Sequence, residues 1–183
     1  MLTMSDSDGY IYDANGITPE KLAFIIDLKS VRRGRIEEYV NQYPKAKYHA
    51  GKCPWGEKVD VALPCATQNE LDEAGARQLI KNHVMAVVEG ANMPTTLEAT
   101  KLLQLNGILF VPGKASNAGG VAVSGLEMSQ NSLRLSWSRE EVDTRLKQIM
   151  QNIHGQCVEF GKAGKKIDYI KGANTAAFLK VAD

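Results

Sequence analysis

Three short apolar runs in the middle of the chain constrain the fold more than any other feature. They occupy residues 59–63, 84–88 and 107–111, and each has the length of a buried strand. Each run ends at a loop containing proline or glycine, and each loop leads into an apolar pattern at helical spacing. Repeated strand–loop–helix units are typical of a parallel sheet with helices on its faces. The sequence therefore predicts an α/β fold with a doubly wound sheet.

The loops after these strands carry small and polar residues. Ligands of doubly wound sheets lie outside the carboxyl ends of the strands, which meet at one edge. The first loop offers three residues for the adenosine or ribose side of a nucleotide, namely Ala66, Thr67 and Gln68. In the second loop, Gly90 and Ala91 are small enough to let a flat ring approach, and Asn92 can hydrogen-bond an amide or a ribose hydroxyl.

The third strand leads through Pro112 and Gly113 into a helix that we expect to begin near Asn117. Four residues then recur on one face of that helix: Asn117, Val121, Ser124 and Met128. The amide and the hydroxyl on this face suit a small polar ligand. The same pattern also fits a helix whose glycines allow close packing and whose polar groups are caps. The spacing leaves both interpretations open.

Helix start signals divide the rest of the chain. The indicated starts are Thr18-Pro19, Asn69, and the capping boxes Thr95–Glu98 and Ser138–Glu141. The last box opens a long amphipathic helix over residues 142–160, and a final helix is expected over residues 168–181. We expect one incomplete nucleotide-binding domain, with Rossmann-like strand–helix units over residues 1–112 and a helical segment over residues 113–183.

The composition excludes several classes of protein. Apolar residues make up 44% of the 183 and charged residues 23%, and the net charge is +1. These values are typical of a globular domain and give no reason to expect nucleic acid or a membrane as a partner. No apolar run is long enough to span a membrane, and no signal peptide is visible. The scattered cysteines and histidines match no metal site, and free thiols indicate a cytoplasmic protein.

Three motifs resemble those of one enzyme family. They are PCATQNE at residues 64–70, GANMPTT at 90–96 and SNAGGVAVSGLEMSQN at 116–131. They are similar, in the same order and at similar spacing, to motifs of the hexameric glutamate dehydrogenases of the Glu/Leu/Phe/Val dehydrogenase family. The resemblance extends from residue 1 to residue 183 and indicates the cofactor-binding portion of an NADP-specific member.

The resemblance implies a cofactor and roles for individual residues. In NADP-type members a serine after the second strand, a following lysine and an arginine six residues beyond it contact the 2′-phosphate. The matching residues here are Ser7, Lys29 and Arg35, so NADP is expected rather than NAD. The resemblance also places the Asn117 helix behind the nicotinamide, with Asn117 on the cofactor and Ser124 on the substrate carboxylate.

The family's reaction is the reversible oxidative deamination of L-glutamate to 2-oxoglutarate and ammonia with NADP(H), and its members are homo-oligomers, typically hexamers. The sequence contains no GxGxxG turn. Nothing in it resembles the family's substrate-binding lysines or its proton-transferring aspartate. We therefore expect a sheet without its first strand and glycine-rich turn, and catalytic residues in a separate N-terminal domain. We also expect an inactive isolated chain with apolar surface on its helices.

Two other interpretations remain open. A branched-chain or aromatic amino-acid dehydrogenase has the same architecture, but its apolar side-chain pocket is disfavoured by the polar Ser124. A non-catalytic nucleotide-binding or assembly module would account for the absent catalytic motifs. Against it, Asn117 and Ser124, which suit a nicotinamide and a substrate, are both present.

Overall fold

A computed structural model describes residues 1–164 and 166–182. The chain forms two compact units, Met1–Val59 and a second that begins at Asp60. Each unit has a sheet and helices of its own, so the predicted α/β class is confirmed. The predicted division at residue 112 and the expected lack of a first strand stay predictions.

The first unit is built on an antiparallel sheet in the order β1–β2–β3. The strands are β1 Thr3–Asp6, β2 Gly9–Tyr12 and β3 Lys47–Ala50. A tight turn at Ser7 and Asp8 joins β1 to β2, and Asp6 pairs with Gly9 across it. β2 is not among the strands that the sequence predicts. This strand is only four residues long and buries both Tyr10 and Ile11, so it shows no polar alternation.

The helices of the first unit pack on that sheet. They are α1 Pro19–Ile26, a π-helical turn Asp27–Val31, a 3₁₀ turn Ile36–Glu38 and α2 Tyr39–Gln42. Thr18 caps α1 as predicted, because its hydroxyl accepts a hydrogen bond from the backbone N–H of Lys21. Ile11, Ile25, Ile36 and Tyr39 form the core between sheet and helices.

The second unit contains the predicted parallel sheet, in the order β4–β5–β6. The strands are β4 Val61–Ala62, β5 Ala86–Val88 and β6 Leu109–Val111. Val61 pairs with Ala86, and Ala86 pairs in turn with Leu109. Because all three strands run in the same direction, the loops that follow them begin at one edge of the sheet. Two short strands further along the chain, β7 Lys162–Ala163 and β8 Lys166–Ile167, pair antiparallel.

Among the described residues, six helices accompany this sheet: α3 Glu73–Lys81, α4 Leu97–Leu105, α5 Gly113–Ser116, α6 Ala118–Leu133, α7 Arg139–Gly161 and α8 Tyr169–Ala182. The start of α6 at Asn117 and the Ser138–Glu141 capping box of α7 are confirmed. Two predicted starts are wrong, since Asp72 caps α3 and Thr96 caps α4.

Both errors have the same physical cause. Leu71 and Thr95 pair as an isolated parallel bridge, which keeps the two loops extended for a few residues past the strands. Asn69 therefore adopts a left-handed conformation (φ 58°) before the helix begins rather than capping it. Thr95 is buried in the bridge, and the capping role passes to Thr96, whose hydroxyl accepts from the N–H of Ala99.

The long helix α7, 23 residues in length, packs against α5, α6 and α8. Cys157 of α7, Tyr169 of α8 and Ala115 of α5 form a small core there. The expected exposure of apolar side chains is found on α6 and α8, where the most exposed residues are Val121, Met128, Leu133, Phe178 and Val181. Within the described residues, no helix is both long and apolar enough to cross a membrane.

Candidate cofactor-binding site

A cluster of charged and polar side chains surrounds the β1–β2 turn of the first unit. The Arg35 guanidinium donates to the Ser7 hydroxyl at 2.8 Å and pairs with the Asp8 carboxylate, Nε to Oδ2, at 3.1 Å. The Lys29 ammonium pairs with Asp6 at 2.8 Å. The structure therefore brings Ser7 and Arg35 into contact, and it pairs Lys29 with Asp6, the residue that precedes Ser7.

Asp6 connects the parts of this cluster. Its carboxylate accepts hydrogen bonds from Lys29, from the backbone N–H of Ile36 at 2.9 Å and from that of Asp8 at 3.1 Å. Burial raises the pKa of Asp6, but the hydrogen bonds and the charge of Lys29 outweigh it, so the pKa lies below the ordinary value of 3.8. The Asp6 carboxylate is thus ionised, and its oxygens are occupied by the hydrogen bonds from Lys29, Ile36 and Asp8.

The cationic groups of the cluster remain accessible. The Arg35 side chain is 52% exposed and that of Lys29 35%. Asp8, equally open to solvent at 50%, occupies one side of the Arg35 guanidinium. An anion that binds Arg35 and Ser7 therefore competes with Asp8 for the guanidinium.

Loops from the edge of the parallel sheet meet in the second unit. The backbone N–H of Gly90 donates to the carbonyl of Pro64 at 2.8 Å, which joins the loop after β5 to the loop after β4. The side-chain amide of Asn117 donates to the Asn92 carboxamide oxygen at 3.2 Å, which joins the β5 loop to α6. The structure therefore places Asn92 and Asn117, both predicted to contact a cofactor, side by side.

Glycines make this close approach possible. A β-carbon at Gly90 would overlap the sulfur of Cys65, and one at Gly113 would overlap the carbonyl oxygen of Ala91. Gly90 is exposed, whereas Ala91 is buried. The small residues thus let the loops contact one another. Their predicted use, to leave room for a flat ring, stays a prediction.

The remaining predicted residues are accessible. Ala66, Thr67 and Gln68 are exposed in the loop after β4. Ser124 is exposed two helical turns beyond Asn117, and its hydroxyl donates to the Gly120 carbonyl at 3.3 Å. Val121 and Met128, which share this face of α6, are exposed as well. Within the second unit, three residues of this face are therefore exposed, whereas Asn117 is half-buried and bonded to Asn92.

Two organising residues escaped the sequence analysis, Asp8 and Glu89. The Glu89 side chain is only 5% exposed and accepts from the backbone N–H groups of Gly113 at 2.6 Å and Thr95 at 3.2 Å. The available signal was a lone carboxylate directly after a buried strand. The partners of such a group are backbone N–H groups, which no residue pattern shows.

Comparison with known proteins extends the three motifs to the whole chain. The profile of the Glutamate/Leucine/Phenylalanine/Valine dehydrogenase family matches residues 1–183. The NAD(P)-specific glutamate dehydrogenase of Xylanibacter ruminicola is 62% identical over 99% of this chain, and the NADP-specific enzyme of Escherichia coli 56% over 100%. The NAD-specific enzyme of Porphyromonas gingivalis is 52% identical over 100%.

The fold agrees with that of a solved relative. The structure of glutamate dehydrogenase from Plasmodium falciparum superposes with a TM-score of 0.93 and 52% identity, over 99% of this chain and 39% of that one. The match covers 41% of each of the three curated relatives, so the chain spans about two fifths of their length. From its sequence and its fold, the chain belongs to the Glutamate/Leucine/Phenylalanine/Valine dehydrogenase family.

Proposed function

We propose that this chain is the cofactor-binding portion of a glutamate dehydrogenase, which catalyses the reversible oxidative deamination of L-glutamate to 2-oxoglutarate and ammonia with NADP(H). The observation that carries the proposal is the edge of the parallel sheet where the loops of Asn92 and Asn117 meet. It occurs in a chain that matches this family throughout. Carboxyl-terminal sheet edges of this type bind dinucleotides.

The cluster at the β1–β2 turn favours NADP over NAD. The relatives are named for NADP, for NAD and for both, so family membership alone does not choose between them. Arg35 and Ser7 offer a guanidinium and a hydroxyl 2.8 Å apart, a combination that suits a phosphate monoester. We propose that Ser7, Lys29 and Arg35 bind the 2′-phosphate, with Arg35 leaving Asp8 as the phosphate arrives.

The loops of the second unit provide the other contacts. We propose that Ala66, Thr67 and Gln68 line the adenosine or ribose side. Gly90, Ala91 and Asn92 lie beside the ring, and Asn117 holds the carboxamide. When bound, the cofactor accepts or donates the hydride, and the task of the chain is to orient its ring. Ser124 binds the substrate carboxylate, and its polarity favours glutamate over an apolar amino acid.

The catalytic lysines and aspartate, on this proposal, lie outside these 183 residues, because the chain spans about two fifths of its relatives. A polypeptide limited to these residues is expected to show no turnover with glutamate and NADP⁺ and only weak NADPH binding. Assembly into a homo-oligomer, a hexamer in the family, and a cytoplasmic location belong to the same proposal. Clear turnover by the 183-residue polypeptide would contradict it.

The phosphate assignment is tested by titrating the complete gene product with NADPH and with NADH. We expect Arg35→Ala and Lys29→Ala each to weaken NADPH binding by about 10-fold or more, because each removes a hydrogen bond to a charged group. NADH lacks the 2′-phosphate, so its affinity should change by less than about 3-fold. The measurement is the dissociation constant from nucleotide fluorescence.

Arg32→Ala is the matched control. Arg32 lies between Lys29 and Arg35 in the sequence, but its guanidinium pairs with Asp27 at 2.8 Å rather than with the β1–β2 turn. It should therefore leave the preference for NADPH unchanged. A preference for NADPH that survives both Arg35→Ala and Lys29→Ala would show that the assignment is wrong.

A further inference from the structure

Glu89 follows the end of β5 and binds both the far end of its own loop and the segment that follows β6. Its carboxylate accepts from the N–H of Gly113 through Oε2 at 2.6 Å and from the N–H of Thr95 through Oε1 at 3.2 Å. Its backbone N–H donates to the carbonyl of Val111 in β6 at 3.1 Å. Its carbonyl accepts a short hydrogen bond from the hydroxyl of Ser116. We call Glu89, Thr95, Gly113 and Ser116 the Glu89 clasp.

A carboxylate is the side chain that this position requires. Two backbone N–H groups from two different loops converge on it, and the group is 5% exposed, so water cannot readily take the place of either bond. A carboxylate offers an acceptor oxygen to each donor, whereas a carboxamide offers one oxygen and places an NH₂ group against the second donor. The substitution Glu89→Gln would therefore keep the shape of the side chain and release one of the two loops.

The Glu89 clasp lies next to Asn92 and Asn117 in the sequence. Thr95 follows Asn92 by three residues, with the buried Pro94 between them. Gly113 begins the short helix α5, and Asn117 directly follows that helix. The carboxylate thus holds the segment on either side of the Asn92–Asn117 contact, although it touches neither asparagine in the hydrogen bonds that the described residues make.

We propose that Glu89 is a positioning residue: it sets the separation of Asn92 and Asn117 and thereby aligns the nicotinamide end of the cofactor. This inference rests on the proposed function, which supplies the ligand. It assigns Glu89 a role in cofactor affinity that is separate from any contribution to folding. Loss of the Glu89 clasp should therefore raise the KM for the cofactor and change the KM for glutamate only weakly.

The test compares KM values in the complete gene product. For Glu89→Gln we expect the KM for the nicotinamide cofactor to rise about 10-fold or more, as for loss of a hydrogen bond to a charged group. The KM for glutamate should change by less than about 3-fold. Ser116→Ala removes a neutral hydroxyl from the same clasp and should raise the cofactor KM by about 2- to 5-fold. It serves as the second variant if Glu89→Gln does not fold.

Two controls separate positioning from stability and from charge. Leu103→Val trims a fully buried side chain of α4, so it should lower the melting temperature and leave the ratio of the two KM values unchanged. Glu159→Gln removes an exposed carboxylate of α7 and should change neither quantity.

The outcomes distinguish the inference from the proposed function. A wild-type protein without glutamate-dependent turnover on either cofactor contradicts the proposed function. An active wild type whose Glu89→Gln and Ser116→Ala variants keep the cofactor KM overturns the positioning role. So does a rise of both KM values by equal factors, or a change in the KM ratio of Leu103→Val as large as that of Glu89→Gln.

Discussion

At the scale of single residues, the first unit depends on a buried carboxylate. Asp13 is 1% exposed and accepts from the Lys21 ammonium at 2.6 Å, from the Tyr39 hydroxyl at 2.8 Å and from the N–H of Asn15 at 3.0 Å. Burial raises the pKa of Asp13, but these bonds and the charge of Lys21 bring it below the ordinary value of 3.8. For its part, Tyr39 has a raised pKa, because it is buried and donates to a carboxylate.

Asp13→Asn should destabilise the protein by about 3 kcal/mol, because it leaves the largely buried Lys21 ammonium without its counter-charge. Urea unfolding followed by circular dichroism measures the change. Asp27→Asn is the matched control: the Asp27–Arg32 pair is exposed, so it should cost less than about 1 kcal/mol. Equal losses for the two variants would show that burial of the Asp13–Lys21 pair is unimportant.

At the scale of elements, α7 and α8 cross with their backbones in direct contact. A β-carbon on Gly172 of α8 would overlap the carbonyl of Cys157 in α7, and one on Gly161 would overlap the carbonyl of Asp168. No residue larger than glycine permits so close an approach at these positions. The packing of Cys157 and Tyr169 depends on it.

Gly172→Ala should therefore destabilise the second unit by about 2–3 kcal/mol. The added methyl group would overlap backbone atoms of α7, which cannot rotate away as a side chain can. The change is read as a shift in the midpoint of denaturant unfolding. Gly155→Ala is the control on α7, where a β-carbon meets nothing within 4 Å. It should stabilise by up to about 1 kcal/mol through helix propensity. Stabilisation by Gly172→Ala as well would contradict the close crossing.

The sequence predicted the elements that depend on residues close together in the chain and missed those that depend on contacts between residues far apart in it. The parallel strands and the starts of α1, α6 and α7 depend on neighbouring residues, and local patterns revealed them. The caps of α3 and α4 were misplaced because the Leu71–Thr95 bridge joins residues distant in sequence. Asp8 and Glu89 were missed for the same reason, since Asp8 pairs with Arg35 and Glu89 binds backbone groups that no side-chain pattern reports.

At the scale of the whole molecule, acid-sensitive groups are unevenly divided between the units. Asp6 and Asp13, both largely buried with lowered pKa values, belong to the first unit. In the second unit, among the described residues, the carboxyl group with a lowered pKa is the exposed Glu141, which accepts from the backbone N–H of Ser138. Each unit also contains one of the two tryptophans, Trp55 in the first and Trp137 in the second.

We therefore expect the first unit to unfold before the second as the pH falls. A carboxyl group with a depressed folded pKa contributes stability above its unfolded pKa, about 3.9, and loses it as the pH falls through the folded value. The variant Trp137→Phe leaves Trp55 to report on the first unit, and Trp55→Phe leaves Trp137 to report on the second. The fluorescence of Trp55 should change at a higher pH than the fluorescence of Trp137. Coincident transitions, or an earlier change at Trp137, would contradict this assignment.

The close approach of α8 to α7 also determines how the thiols of this protein meet a reagent. Cys53 and Cys65 are exposed, whereas Cys157 is covered, and burial raises the pKa of the Cys157 thiol. Burial also raises the pKa of the Cys65 thiol. An alkylating probe will thus modify Cys53 first, the exposed Cys65 more slowly, and Cys157 third, only after α8 has separated from α7. The delay before that third modification measures the opening frequency of the helix pair, with no added label.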